Sequence, residues 1–445
     1  RIESGTPLAF ALACDFHWPR PGLDSRLEVT GQMRWDEATG RPLFSETVAR
    51  GEVGGTFLPA NSPRAAVAAH LSLEEGERHL RLSGLRVKVL GADLTGELTF
   101  LDFLDRFELR GQVTAARFSP RGVLNAYFPH TIPADYQGAL ASAEGPVELS
   151  ANEDEMTFTS PGLKLDGAHV RGKVRLGFGD KPGLDFSLSA DRLDVDAYVA
   201  ALHANATGKP TLAGDLPLVY LREVVGQGRV AAEALKLAGV TVQGAQLEWQ
   251  AAAGAHRLLL RPAKAEGGQL TAELATAFFG TPESPVLGLA GNLRLEGADP
   301  RQVSWLARPG SSVSGRVDLR LRGEVQKAPL APTARLSQLL RRATGEGSLN
   351  IAPATLEWGE GKTPAPGKPA DQSKRMSFSS LVAQARLSSA PAGDADWAVQ
   401  AEGVLSAVGT KPLLNLDGRF NVQARPTPRG GIALVNANVS GRLKG

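Results

Sequence analysis

Val313-Ser314-Gly315-Arg316-Val317-Asp318-Leu319-Arg320-Leu321-Arg322 alternates without a break, with Val, Gly and Leu at odd positions and Ser, Arg and Asp at even ones. Successive side chains of an extended strand point to opposite faces, so this stretch reads as a strand with one apolar and one charged face. Wound as a helix, the same residues would mix both sets around the circumference.

The same period runs outward in both directions. Leu85, Val87 and Val89 alternate with Arg86 and Lys88. It recurs at Leu94/Leu98/Phe100, Phe107/Leu109/Val113, Val170/Val174/Leu176/Phe178, Leu184/Phe186/Leu188 and Leu270/Ala272/Leu274. Glycines separate most of these runs, as the turns of an antiparallel meander require. Composition agrees: 50 Gly and 29 Pro in 445 residues, with 42% hydrophobic but only 6% aromatic, favour many short strands and turns over a helical bundle. The fold class expected is mainly β: a long curled antiparallel sheet, a groove-like repeat meander with a few short capping helices.

Helices are expected at about Ser119–Tyr127, Asp194–Leu202, Asp215–Val225, Asp299–Leu306 and Pro332–Arg342. Two of these starts repeat each other. Gly111 leads to Ser119-Pro120-Arg121, and Gly291 leads to Asp299-Pro300-Arg301 in the same register. Each follows alternating residues with a Ser or Asp cap, whose oxygen accepts an orphan N–H, and a Pro that has no N–H to lose. The repetition predicts an internal duplication.

Three segments follow from the pattern: a β-rich repeat region over 1–357, a Pro-, Gly- and Lys-rich linker over 358–375, and further strands over 376–445. About 20 amphipathic strands at about 4.8 Å spacing would make a ribbon on the order of 90 Å long. Open sheets rarely exceed about 10 strands without curling or splitting. Five short helices cannot cover so long an apolar face, so it must fold on itself, pair with another sheet, or hold something apolar.

Function classes fall away in turn. Charge is nearly balanced, at +2 from 49 basic and 47 acidic residues, so no global field would attract nucleic acid. The single cysteine, Cys14, excludes an internal disulfide framework. Seven scattered histidines show no metal-ligand spacing, and no Gly-x-Ser-x-Gly elbow is present. Gly361-Lys362-Thr363 ends like a phosphate loop but has Leu356 in place of the first glycine, and Gly226-x-Gly228 opens a strand instead of a helix. No stretch approaches the ~18–20 apolar residues that span a bilayer. The reading is a non-enzyme with no cofactor and no metal. Arg121 and Arg301, at the repeated helix starts, are candidates for a phosphate headgroup, against the plainer reading of arginines paired with carboxylates or water.

Three stretches taken in order resemble the C-terminal region of the AsmA family: Ala116-Arg117-Phe118-Ser119-Pro120-Arg121-Gly122-Val123-Leu124, then Ala190-Asp191-Arg192-Leu193-Asp194-Val195-Asp196-Ala197-Tyr198, then Leu216-Pro217-Leu218 with Leu221-Arg222. The order holds from about Gly84 to Gly323, and Met376-Ser377-Phe378-Ser379-Ser380-Leu381 resembles the family's later strand start. The resemblance implies an envelope protein of Gram-negative bacteria, tethered to the inner membrane by a helix preceding Arg1, with its body in the periplasm. It also implies a curled β-sheet enclosing an apolar groove for phospholipid acyl chains, tied to outer-membrane biogenesis, with no catalytic residues.

Two functional expectations follow. In the first, phospholipid is the partner, alongside other envelope proteins, and the groove is lined by Leu85, Val87, Val89, Leu94, Leu98, Phe100, Phe107, Leu109, Val113, Val174, Leu176, Phe186, Leu188, Val317 and Leu319. In the second, the chain is a β-sandwich or solenoid scaffold of the envelope, whose apolar faces pack on each other. A dry core and a lipid groove need the same alternation, so an apolar trough open to solvent is what separates them.

Overall fold

Alternation becomes strand almost wherever it is read. A computed structural model describes residues 7–18, 22–36, 41–55, 58–59, 63–73, 79–101, 108–127, 138–178, 183–198, 222, 224–237, 240–252, 254–281, 284–301, 311–329, 343–358, 374–392, 396–411, 415–427 and 431–444. It divides into two units, residues 1–190 and 191–445.

The first unit is an antiparallel meander. Its strands are β1 (Leu8–Trp18), β2 (Leu23–Asp36), β3 (Arg41–Gly55), β4 (Ala65–Leu73), β5 (Leu80–Val89), β6 (Ala92–Leu101), β7 (Glu108–Phe118), β8 (Ala143–Asn152), β9 (Glu155–Leu165), β10 (Ala168–Gly177) and β11 (Gly183–Asp194), the last running four residues past the division. Each pairs antiparallel with the next. The tight turns have a local cause. Leu90-Gly91 and Asp166-Gly167 both take positive φ at each position, the mirror-image turn whose twist matches that of the strands it joins.

The second unit repeats the plan through β12 (Val225–Leu237), β13 (Val240–Ala252), β14 (Ala255–Ala265), β15 (Gly268–Thr281) and β16 (Ser284–Ala298). It continues through β17 (Ser311–Ser314), β18 (Val317–Pro329), β19 (Ala343–Ile351), β20 (Ala354–Trp358), β21 (Lys374–Ala392), β22 (Asp396–Lys411), β23 (Asn415–Thr427) and β24 (Gly431–Lys444). Here β16 pairs with β18, while the short β17 pairs with β20. Both β19 and β20 lie along the long β21, so the chain breaks at Gly315-Arg316 and again at Ala352-Pro353, side by side. The Ala352 N–H donates to the Arg316 carbonyl across that break (3.1 Å).

Buried residues collect where strands bend. In the first unit Ala69, Leu82 and Leu85 form one small core, beside register shifts in β4–β5 and β5–β6. In the second, a cluster of 16 residues spans β12 to β22, with Leu235, Val242, Ala298 and Val317 fully enclosed. These creases are narrow: among the described residues 18 of the 32 buried hydrophobic ones are alanine, so most large apolar side chains are not in them.

The helices need correction. Among the described residues α1 (Pro120–Tyr127) matches the first expectation, with Ser119 capping the Gly122 N–H (3.4 Å). Residues 195–198 are helical, and Asp194 caps the Ala197 N–H (2.9 Å) as expected. Asp299-Pro300-Arg301 is a turn. Val225, expected to end a helix, begins β12. Residues 199–221, 302–310 and 330–342, where the other helical positions fall, lie outside the described residues. So do residues 359–373 of the expected linker; strand pairing reaches into its ends, since Trp358 stands opposite Lys374.

Candidate functional site

In the first unit, one face carries uninterrupted apolar rows. Leu71, Leu82, Leu98, Gly111, Leu149, Phe158, Val174 and Phe186 stand directly opposite one another in successive strands from β4 to β11, skipping none. Two residues along each strand a second row runs parallel: Leu73, Leu80, Phe100, Leu109, Ala151, Met156, Leu176 and Leu184. Leu82, Leu109 and Ala151 are buried; the other large side chains of both rows are half-buried, except Leu73, which is 54% exposed. The face reaches β1, where Leu8, Leu12 and Phe16 are exposed and Phe10 meets Phe44 edge-on at 5.6 Å.

The opposite face is a charged lattice. Arg81 pairs with Glu97 (2.7 Å), Lys164 with Glu144 (3.6 Å), and Arg175 with Glu155 (3.1 Å) and Asp185. The hydrogen bond and charge of Asp185, then those of Glu155, hold the Arg175 guanidinium above its ordinary value. Such exposed pairs add little stability. What they do is commit that face to water, which sets it apart from the apolar rows.

Most residues expected to line a groove share this face. Val87, Val89, Leu94, Leu98, Phe100, Val113, Val174, Leu176, Phe186 and Leu188 are half-buried on it. Leu85 (2% exposed) and Leu109 (7%) are buried in small cores against which Val87, Leu98, Phe100 and Val113 pack, and Val317 (0%) is sealed in the second unit's crease with Leu319 packed against it. The structure therefore moves Leu85, Leu109 and Val317 from groove wall to core: Leu85 and Val317 sit at strand irregularities, and Leu109 packs with Ala151. Phe107 lies outside the described residues. Leu71, Leu80, Leu149 and Phe158 were missed; Met156-Thr157-Phe158-Thr159 carried the alternating signal, whereas Leu149 was hidden behind Gly145-Pro146.

The second unit carries the same kind of face. Leu247, Leu260, Ala272, Leu293, Leu321, Gly347, Ala385 and Gly403 stand opposite one another from β13 to β22. Beside this row three glycines face each other, Gly291, Gly323 and Gly345, between Leu274 and Leu387. Three strands there have no side chain on the apolar side.

Neither headgroup candidate presents a vacant helix start. The Arg121 N–H donates to the Leu140 carbonyl (3.0 Å), and the N–H groups of Leu140, Ala141 and Ser142 donate to the Asp166 carboxylate (2.6, 2.8 and 3.0 Å). Arg301 grips its own cap: Nε to Asp299 Oδ1 and Nη2 to Oδ2, each 3.2 Å. The hydrogen bonds from Arg301 hold the Asp299 carboxyl below its ordinary value.

The other carboxylates with shifted acidity, Glu248 and Glu273, are likewise held low at the surface by Arg261 and Arg257. They do not converge in a cleft. Among the described residues no three His, Cys, Asp or Glu side chains gather as a metal site would require, and no helix is long and apolar enough to cross a membrane. Comparison with known proteins returned no matching family model, no matching curated protein and no matching solved structure.

Proposed function

We propose that this is a lipid-handling protein of the bacterial envelope, whose apolar β-faces hold phospholipid acyl chains while the charged faces stay in water. One observation carries the reading: two parallel apolar rows run across eight successive strands, broken in size only at Gly111 and Ala151, and most of their large side chains remain half-exposed. Fully burying a Leu, Val or Phe side chain is worth about 1.5–3 kcal/mol, so about a dozen half-buried ones leave on the order of 10 kcal/mol unrealised. An acyl chain supplies matching surface at about 0.8 kcal/mol per buried CH₂. Movement along the face would be diffusive and need no cofactor.

The resemblance to the AsmA family supports the same reading and gives it a place: the periplasm, tethered to the inner membrane, in the service of outer-membrane biogenesis. The scaffold reading has its own support in the second unit, where 16 buried residues form a dry crease. Native mass spectrometry of the purified chain decides between them. Retained lipid, or lipid accepted from phosphatidylethanolamine vesicles, is expected; a folded chain that carries none and takes up none refutes the proposal and leaves the scaffold.

A further inference from the structure

On the charged face of the second unit, Arg294 on β16 stands directly opposite Arg320 on β18. Two residues along β18, Arg322 stands opposite Glu346 on β19, which in turn faces Arg386 on β21. These side chains, with Ser348 and Gln384, line a hollow of about 750 Å³. Like charges directly opposite in an antiparallel pair cost stability.

Nearby arginines are matched with carboxylates: Arg257 with Glu273 (2.6 Å) and Arg261 with Glu248 (2.8 Å). In the hollow the balance fails. Arg294 pairs with Glu296, and Glu402 takes the amides of Gln400 (2.5 Å) and Asn421 (3.1 Å). Among the described residues no carboxylate comes within ion-pair distance of Arg320, Arg322 or Arg386.

We propose that this hollow binds a phosphate ester, gripped by Arg320 and Arg322 with Arg294 and Arg386 as flanking charges. Residues two apart on a strand lie about 7 Å from each other on one face, so two guanidinium forks can close on one phosphate from neighbouring positions. Arginine matches phosphate oxygens in pairs and is more weakly hydrated than lysine, which suits it to an open hollow. The volume lies in the range of small-ligand sites, about 300–1,000 Å³. The site faces away from the apolar rows and does not rest on the lipid reading.

A ³¹P NMR titration of the full chain with sn-glycerol 3-phosphate, beside flotation with phosphatidylglycerol vesicles, tests it. Saturable binding by the wild type is expected, weakened at least about tenfold in the double variant Arg320→Gln/Arg322→Gln and also weakened in Arg386→Gln on a separate strand. Arg86→Gln/Arg171→Gln, on the charged face of the first unit, should bind as the wild type does. Vesicle binding that the double variant loses, and that glycerol phosphate displaces, assigns the ligand as a lipid headgroup; glycerol phosphate binding alone assigns a free phosphoester. No saturable binding of either probe by the wild type overturns the proposal. So does equal binding by the arginine variants and the control, with thermal melts confirming that each variant is folded.

Discussion

Val174→Asp and Val317→Asp place the same charge on the same residue type in two strands, and differ only in what covers the side chain. Val174 lies half-buried between Phe158 and Phe186 on the open face; Val317 is 0% exposed within the crease. The intrinsic strand preference lost is common to both and cancels in the comparison. For Val317 the full transfer energy of about 1.5–3 kcal/mol is lost, and an unpaired buried carboxylate adds several more. A total of at least about 5 kcal/mol should lower Tm by about 10–20 °C, or unfold the unit, given about 2–4 °C per kcal/mol at this size. For Val174 roughly half the transfer energy is lost and the charge stays hydrated, so about 1 kcal/mol and about 2–4 °C are expected. Lipid loading should respond in the reverse sense. Under an acyl chain the Val174→Asp variant would hold an unpaired carboxylate, so its loading in native mass spectra should fall at least about tenfold while the fold persists. If Val174→Asp melts as low as Val317→Asp, the face is covered and the reasoning fails; a stable Val174→Asp chain that loads normally refutes the groove.

Further outcomes follow from single contacts. A Cβ on Gly111 would lie 2.2 Å from the Glu97 carbonyl oxygen and 2.7 Å from Leu98 Cδ2, whereas on Gly291 the nearest atoms are 3.5 Å away. Gly111→Ala should therefore cost about 2 kcal/mol in urea unfolding, and Gly291→Ala should be neutral or gain up to about 1 kcal/mol; equal effects would contradict the geometry. Asp166→Ala removes the acceptor of three backbone N–H groups and should destabilise the first unit by about 2–3 kcal/mol, with limited proteolysis locating new cleavage near Leu140. Glu248, Glu273 and Asp299 have pKa values depressed by Arg261, Arg257 and Arg301, so their contribution is complete above the ordinary values of 4.5 and 3.8 and is lost as pH falls through the lower folded values. Melting temperature should be flat near neutrality and decline only on acidification, and Glu273→Gln should flatten part of that decline.

The strands were legible because a period of two survives any context. Val313 to Arg322 reads as strand in sequence and lies in β17 and β18. What it concealed is the break between them at Gly315-Arg316, since a crease keeps the alternation on both sides and shows only when the neighbouring strand is seen to break beside it. The caps were legible for a similar reason: Ser119 and Asp194 each engage an N–H three residues on, a purely local event. The duplicated starts differ both in what they open, a helix after Ser119 and a turn after Asp299, and in their glycines, because the space around Gly111 and Gly291 is set by neighbouring strands that the repeat does not encode.

Alternation could not say which apolar residues would be dry and which open, yet residue size along the rows carries that distinction. The buried positions are mostly small, as at Ala69, Ala143, Ala168 and Ala190 in one unit and Ala245, Ala265, Ala298 and Ala354 in the other. Most of the Leu, Phe and Val side chains of the rows, Leu82 and Leu109 apart, stay half-exposed. Phe378 is the one phenylalanine among the described buried residues, whereas Phe100, Phe158 and Phe186 are half-buried, Phe100 against the core of Leu82 and Leu85. Hiding alanine while leaving phenylalanine half-covered is what the proposed hold on acyl chains requires of that face.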